Sequence, residues 1–114
     1  RLCIAAGKSQ RGLRRALDAT GLGDFFAATR CADQTSPKPA PDMLLELMDE
    51  LAIPRDRTIM IGDTTHDLEM AANAGVASLA VAYGAHPTAV LRKAAPLGIL
   101  DSISELHEWL MLNA

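Results

Sequence analysis

The residues best placed for chemistry are two aspartates and a lysine. Ile59-Met60-Ile61-Gly62-Asp63-Thr64-Thr65-His66-Asp67 runs from an apolar segment into two carboxylates four positions apart. The apolar segment reads as a buried strand and the residues from Thr65 as a helix. Asp63 then ends the strand and Asp67 sits in the first helical turn. Carboxylates so placed can converge on one hard cation, and Mg2+ is typically held by one or two carboxylates with waters and phosphate oxygens. A helix cap accounts for Asp67 equally well, with Thr64 as N-cap and Asp67 standing where a capping box has Glu. Asp63 is harder to explain that way, because a carboxylate ending an apolar strand needs a partner to offset its desolvation.

Lys38 lies in Pro37-Lys38-Pro39-Ala40-Pro41. The flanking prolines restrict the backbone, and a lysine held there can neutralise a phosphate or keep a neighbouring carboxylate ionised. A lone loop lysine is ordinarily solvated; only the two aspartates give this one a role. Gly7-Lys8-Ser9 follows a strand-like run and precedes a helix, as in a phosphate-binding loop. The G-x-x-x-x-G-K-[ST] pattern needs glycine at position 2, where this chain has Leu2. A nucleoside triphosphatase is thereby rejected, although the N–H groups at this helix start, with Gly7 and Lys8, could hold a single phosphate. His66 and His86 read as helix-start residues. Trp109 and His107 carry no chemical signal.

The elements that must position these residues alternate. Leu2–Ala6 reads as a strand, Arg11–Thr20 as a helix ended by Gly21, and Phe25–Arg30 as a short strand. Gln34–Pro41 is a loop. Met43, Leu44, Leu47, Met48 and Leu51 form one apolar helical stripe, with Pro41 in its first turn, and Ile53-Pro54 stops that helix. Thr58–Ile61 is a strand, Thr65–Asn73 a helix closed by Gly75, Val76–Val81 a strand and His86–Ala94 a helix beginning near Pro87. Ile99-Leu100 is a final strand and Ser102–Leu112 a last helix. This order predicts an α/β fold, a Rossmann-like parallel sheet flanked by helices. Ligands of such sheets bind beyond the carboxyl ends of the strands, which points to the loops at 7–9, 36–42, 62–67 and 83–86.

Composition narrows the function. The 114 residues are 49% hydrophobic and 22% charged, suited to a single domain spanning 1–114. A net charge of −3 argues against nucleic acid, which normally needs a basic excess. No apolar run reaches the length of a membrane span. Cys3 and Cys31 lack metal-ligand spacing and read as reduced thiols of a cytoplasmic protein. The chain opens on Arg1-Leu2-Cys3-Ile4, directly in a strand-like run, which reads as a piece of a longer protein.

Taken in order, these pieces resemble the haloacid dehalogenase superfamily, in particular its phosphoglycolate phosphatase-like branch. Lys38-Pro39-Ala40-Pro41-Asp42 is similar to the family's Lys-Pro-x-Pro motif. Gly62-Asp63-Thr64-Thr65-His66-Asp67 is similar to its Gly-Asp-x-x-x-Asp motif, and Asn73-Ala74-Gly75 follows at the familiar distance. The resemblance implies hydrolysis of small phosphorylated metabolites through an aspartyl-phosphate, with Mg2+ as cofactor. It gives Lys38 and Asp63 catalytic roles, Asp63 and Asp67 the metal, and Lys38 the phosphoryl charge.

The sequence departs from the family twice. The Asp-x-Asp nucleophile motif on the first strand and the cap domain are absent from this chain, so the piece alone is expected to be inactive. Ala6 stands where the family usually has a Thr or Ser that binds a phosphoryl oxygen; losing such a bond to a charged group costs about 1–3 kcal/mol. Two rivals are a non-catalytic interaction module and a receiver-like signalling domain, the latter disfavoured because its Lys-Pro should follow the acidic residues. In the resembled fold the absent strand lies between Leu2–Ala6 and Thr58–Ile61. Open strand edges recruit partners. The gap is therefore expected to close by direct pairing of these two strands, by strand exchange in a homodimer, or by the missing N-terminal segment.

Overall fold

Strands and helices alternate along the chain as the apolar pattern requires. The computed structural model describes residues 1–82, 91–92 and 96–113. Its elements are β1 (Leu2–Ala6), α1 (Gln10–Thr20), β2 (Phe26–Cys31), α2 (Asp42–Leu51), β3 (Ile59–Gly62), α3 (Thr65–Ala74), β4 (Ala77–Val81), β5 (Ile99–Leu100) and α4 (Ile103–Asn113). The expected loop at 83–86, with Tyr83 and His86, and all of the expected helix at 86–94 but residues 91 and 92, which are helical, lie outside the described residues.

Several boundaries move by a residue or two, each for a local reason. Phe25 closes a 3-10 turn over Gly23–Phe25, so β2 starts at Phe26. Thr58 ends a second such turn: its N–H donates to the Arg55 carbonyl and its hydroxyl to that of Pro54. β3 therefore begins at Ile59. Val76 spends its N–H on the Ala71 carbonyl, 2.8 Å away, in the left-handed stop at Gly75 (φ 74°) that ends α3. β4 then begins at Ala77. Pro41 is the N-cap of α2 and not part of its first turn.

All observed strand pairs are parallel, but they form two sheets. β1 pairs with β2, from Leu2 opposite Phe26 to Ala6 opposite Cys31. β3 pairs with β4, which pairs with β5. Direct pairing of β1 with β3, one of the expected closures, does not occur: each strand keeps its own sheet and leaves an edge toward the other. A cavity of about 470 Å³ lies between them, lined by residues 1–5 and 57–61, by Leu44, Leu47 and Met48 of α2, and by Leu110 of α4. Burial shows the consequence. β4, paired on both sides, buries its last four residues, whereas β1 buries none completely.

The halves are joined by side chains. Met43 and Leu44 of α2 pack on Met70, Ala71 and Ala74 of α3 and on Val76, with Ala5, Met48 and Met60 against them. Met43 and Met70 are fully buried, and truncating such a residue to Ala typically costs 2–5 kcal/mol. Leu68, Ala80 and Leu91 form a second cluster, with Ile99 packed against it. Glu46 and Glu50, one turn apart on α2, hold Arg30 of β2 at 3.0 and 2.7 Å. The core thus bridges the two sheets where the backbone does not.

Candidate active site

The site stands at the carboxyl end of β3. Gly62 is the last residue of that strand and Asp63 the next. The glycine is required by space. A Cβ there would lie 2.3 Å from Asp67 Cβ and 2.7 Å from Asp67 Oδ2, far inside contact distance. Thr64 is extended (φ −126°, ψ 158°) and caps α3, its hydroxyl oxygen accepting from Asp67 N–H at 3.2 Å. Asp67 Oδ2 in turn accepts from Thr64 N–H at 3.2 Å and from the Thr64 hydroxyl at 2.9 Å. The capping box is complete.

Asp67 does more than cap. Its other oxygen, Oδ1, receives the Lys38 ammonium. The Asp67 side chain is 7% exposed and that of Lys38 18%. Burial pushes the Asp67 carboxyl up, but the hydrogen bond and charge of Lys38 and the two Thr64 donors outweigh it, leaving it below the usual carboxylate range. The cap and charge readings of Asp67 are both true of one side chain. Lys38 reaches it from the loop after β2, where the Lys38–Pro39 bond is cis and Ala40 N–H turns back to the Pro37 carbonyl at 3.0 Å.

The start of α1 is already occupied. Ser9 caps it, accepting from Gly12 N–H at 3.1 Å, and the Asp33 carboxylate takes Gln10 N–H at 3.1 and 3.2 Å. An anion thus sits where a phosphate was expected to use these donors. Gly7 and Lys8 lie on the turn before it, Lys8 exposed and its carbonyl accepting from Ala32 N–H. The spacing gave no hint of Asp33, which is 23 residues from its partner in sequence. Nor did it foretell that Asn73 donates to the Pro39 carbonyl at 2.9 Å. Cys3 and Cys31 are both free thiols. Burial, with the Asp33 charge, pushes Cys31 up; such a thiol is inert.

A lysine and two aspartates thus stand at the carboxyl edge of a parallel α/β fold. The chain belongs to the haloacid dehalogenase-like hydrolase family, whose model matches residues 1–81. It is 41% identical over 106 residues to "Probable phosphatase IndB" of Dickeya dadantii, covering 92% of this chain and 46% of that protein. It is 32% identical to the phosphoglycolate phosphatase of Rhodospirillum rubrum, covering 96% of this chain and 46% of that protein. Among solved structures it matches a phosphatase predicted in Clostridium acetobutylicum, with TM-score 0.89 and 27% identity over 98% of this chain and 52% of that one. A family hydrolase of Deinococcus radiodurans, solved with bound phosphate and sodium, matches with TM-score 0.86 and 21% identity over 96% and 51%. The chain spans about half the length of the relatives it matches.

Proposed function

We propose that this chain is the carboxyl-terminal core of a Mg2+-dependent phosphatase acting on small phosphorylated metabolites, phosphoglycolate-like in class. The observation that carries the reading is the Lys38–Asp67 pair beside Asp63 at the end of β3. It supplies a fixed positive charge and an acidic edge where ligands of parallel sheets bind. Phosphoryl transfer depends mainly on positioning and on stabilising charge around phosphorus.

The donor set suits a hard cation, since carboxylate oxygens are what Mg2+ prefers. Among the described residues no three His, Cys, Asp or Glu side chains cluster closely enough to hold a metal unaided. In this reading Asp63 would be one ligand, the remainder coming from the substrate, water and a carboxylate outside this chain. Bound Mg2+ would neutralise charge on the phosphoryl oxygens. Asp67, expected from the sequence to face the metal beside Asp63, has both oxygens engaged by Lys38 and Thr64 and in this reading supports the metal's surroundings by fixing Lys38. Lys38 places its ammonium against the transferring phosphoryl group and the attacking carboxylate.

The attacking carboxylate belongs, in this reading, to an additional parallel strand between β1 and β3, supplied by the half of the protein that the relatives have and this chain does not span. Its oxygen bonds to phosphorus as the ester P–O bond breaks and the leaving oxygen takes a proton from a carboxylic acid on the same additional strand. Water, giving a proton back to that acid, then attacks phosphorus, releases phosphate and restores the attacking carboxylate. The test joins the chain to the amino-terminal half of its Dickeya relative and assays phosphate-monoester hydrolysis with and without Mg2+. Hydrolysis that requires both Mg2+ and Asp63 supports the reading. A folded, inactive product favours a non-catalytic module, which the small Ala6 side chain at the end of β1 would also suit. Light scattering of the chain alone reports strand exchange between two copies as a dimer.

A further inference from the structure

We propose that Asn73 is a positioning residue for Lys38: by donating to the Pro39 carbonyl, its side-chain amide holds the lysine-bearing loop at the height where the ammonium meets Asp67. The bond is 2.9 Å long and joins residues 34 apart in sequence. Pro39 directly follows Lys38, so the anchor acts on the peptide unit next to the lysine. Asp67 and Asn73 lie six residues apart on α3, roughly 9 Å along its axis at the usual helical rise. One helix thus grips one loop at two heights, by the lysine's charge near its start and by the backbone near its end.

The loop's composition makes an outside donor necessary. Pro37, Pro39 and Pro41 have no N–H, so this stretch is held chiefly through its carbonyls. It is carried by β2, in one sheet, while α3 follows β3, in the other, and no strand pairing connects the two. A lysine ammonium on a four-carbon stem is only as well placed as the backbone bearing it. Asn73 is itself exposed, so its bond does not rescue a buried polar group. Its value is positional. So far as catalysis is concerned, the inference rests on the phosphatase reading, but its test needs no turnover.

The experiment is 15N NMR of the lysine ammonium groups in the 114-residue chain, with the Lys38 signal assigned by its loss in Lys38→Met. Asn73→Ala and the isosteric Asn73→Asp, neither able to donate, are expected to raise the hydrogen-exchange rate of the Lys38 ammonium about fivefold, the equivalent of one neutral hydrogen bond. Asn73→Gln, which keeps the amide, should recover part of the protection. Thr20→Ala, which removes an exposed side-chain hydrogen bond at the end of α1, should leave Lys38 unchanged. Unchanged Lys38 exchange in Asn73→Ala would overturn the proposal. So would an equal response to Thr20→Ala, or a fall in thermal midpoint as large as that of the core truncation Met70→Ala, since each makes Asn73 merely structural. Failure of the joined enzyme to hydrolyse phosphate esters would instead remove the phosphatase reading and leave the NMR result standing.

Discussion

The turn after β1 and the turn after β3 follow the same plan, each passing a glycine, Gly7 or Gly62, to a hydroxyl N-cap, Ser9 or Thr64. They part at the third helical position. In α1 that residue is Gly12, which has no side chain to return to the cap, and Asp33, distant in sequence, accepts from the N–H of Gln10, the first helical residue. In α3 it is Asp67, which closes its own cap and has an oxygen left for Lys38. A helix start neutralised by a borrowed carboxylate is chemically finished. One closed by its own carboxylate can draw in a cation, and so keeps a charged pair at the sheet edge beside Asp63. The two glycines repeat the contrast: a Cβ on Gly7 meets nothing within 4 Å, whereas one on Gly62 collides with Asp67.

The largest expected effect separates the two turns by activity. In the enzyme completed with an amino-terminal half, Asp63→Asn should lower hydrolysis by about 100-fold or more, the scale of removing a charge-stabilising group. Lys8→Ala, beside the occupied start of α1, should change it by no more than about fivefold, the scale of an exposed charge. Steady-state assays of both variants check this, and equal losses would erase the distinction.

Next comes stability. Lys38→Met leaves a buried carboxylate without its cation and should cost about 3 kcal/mol at pH 7 by denaturant unfolding. The folded Asp67 carboxyl lies below its ordinary value. Its contribution is therefore complete above about pH 4, the unfolded carboxylate value, and is lost as pH falls through the folded value. The gap between wild type and Lys38→Met should accordingly narrow below pH 4. A gap independent of pH would mean that the pair is not what the lysine contributes.

Smaller effects sharpen the contrast further. Gly62→Ala should destabilise by about 1–3 kcal/mol through overpacking, while Gly7→Ala should stay within about 0.5 kcal/mol. Asp33→Ala removes a cap donor's partner and should cost about 1 kcal/mol, without moving the Lys38 NMR signal. Thermal and chemical unfolding of the three variants measure these differences.

Much of this arrangement was legible because it is local. Alternating apolar runs placed the strands and helices, and the four-residue spacing from Asp63 to Asp67 marked the strand end and helix start. Thr64 and Asp67 announced their capping box in the same way. What escaped was long-range or backbone-driven. Asp33 reaches Gln10, and Asn73 reaches Pro39, through tertiary placement that no periodicity encodes. The slips at Phe25, Thr58 and Val76 come from turns whose hydrogen bonds take N–H groups that would otherwise begin a strand. The family's strand order located the gap between β1 and β3, but the direct pairing expected to close it does not form; that α2 holds the halves together through Met43 and Leu44 was not legible either.

The central claim is that β3, α3 and Lys38 form one half of a phosphatase site completed by a strand between β1 and β3. The most direct measurement compares Mg2+-dependent phosphate-monoester hydrolysis by the 114-residue chain alone and by the same chain joined to the amino-terminal half of its Dickeya relative. The account predicts no detectable hydrolysis by the chain alone and Mg2+-dependent hydrolysis, abolished by Asp63→Asn, once the two are joined. Equal hydrolysis by both, or activity in the joined protein that survives Asp63→Asn at full rate, would contradict it.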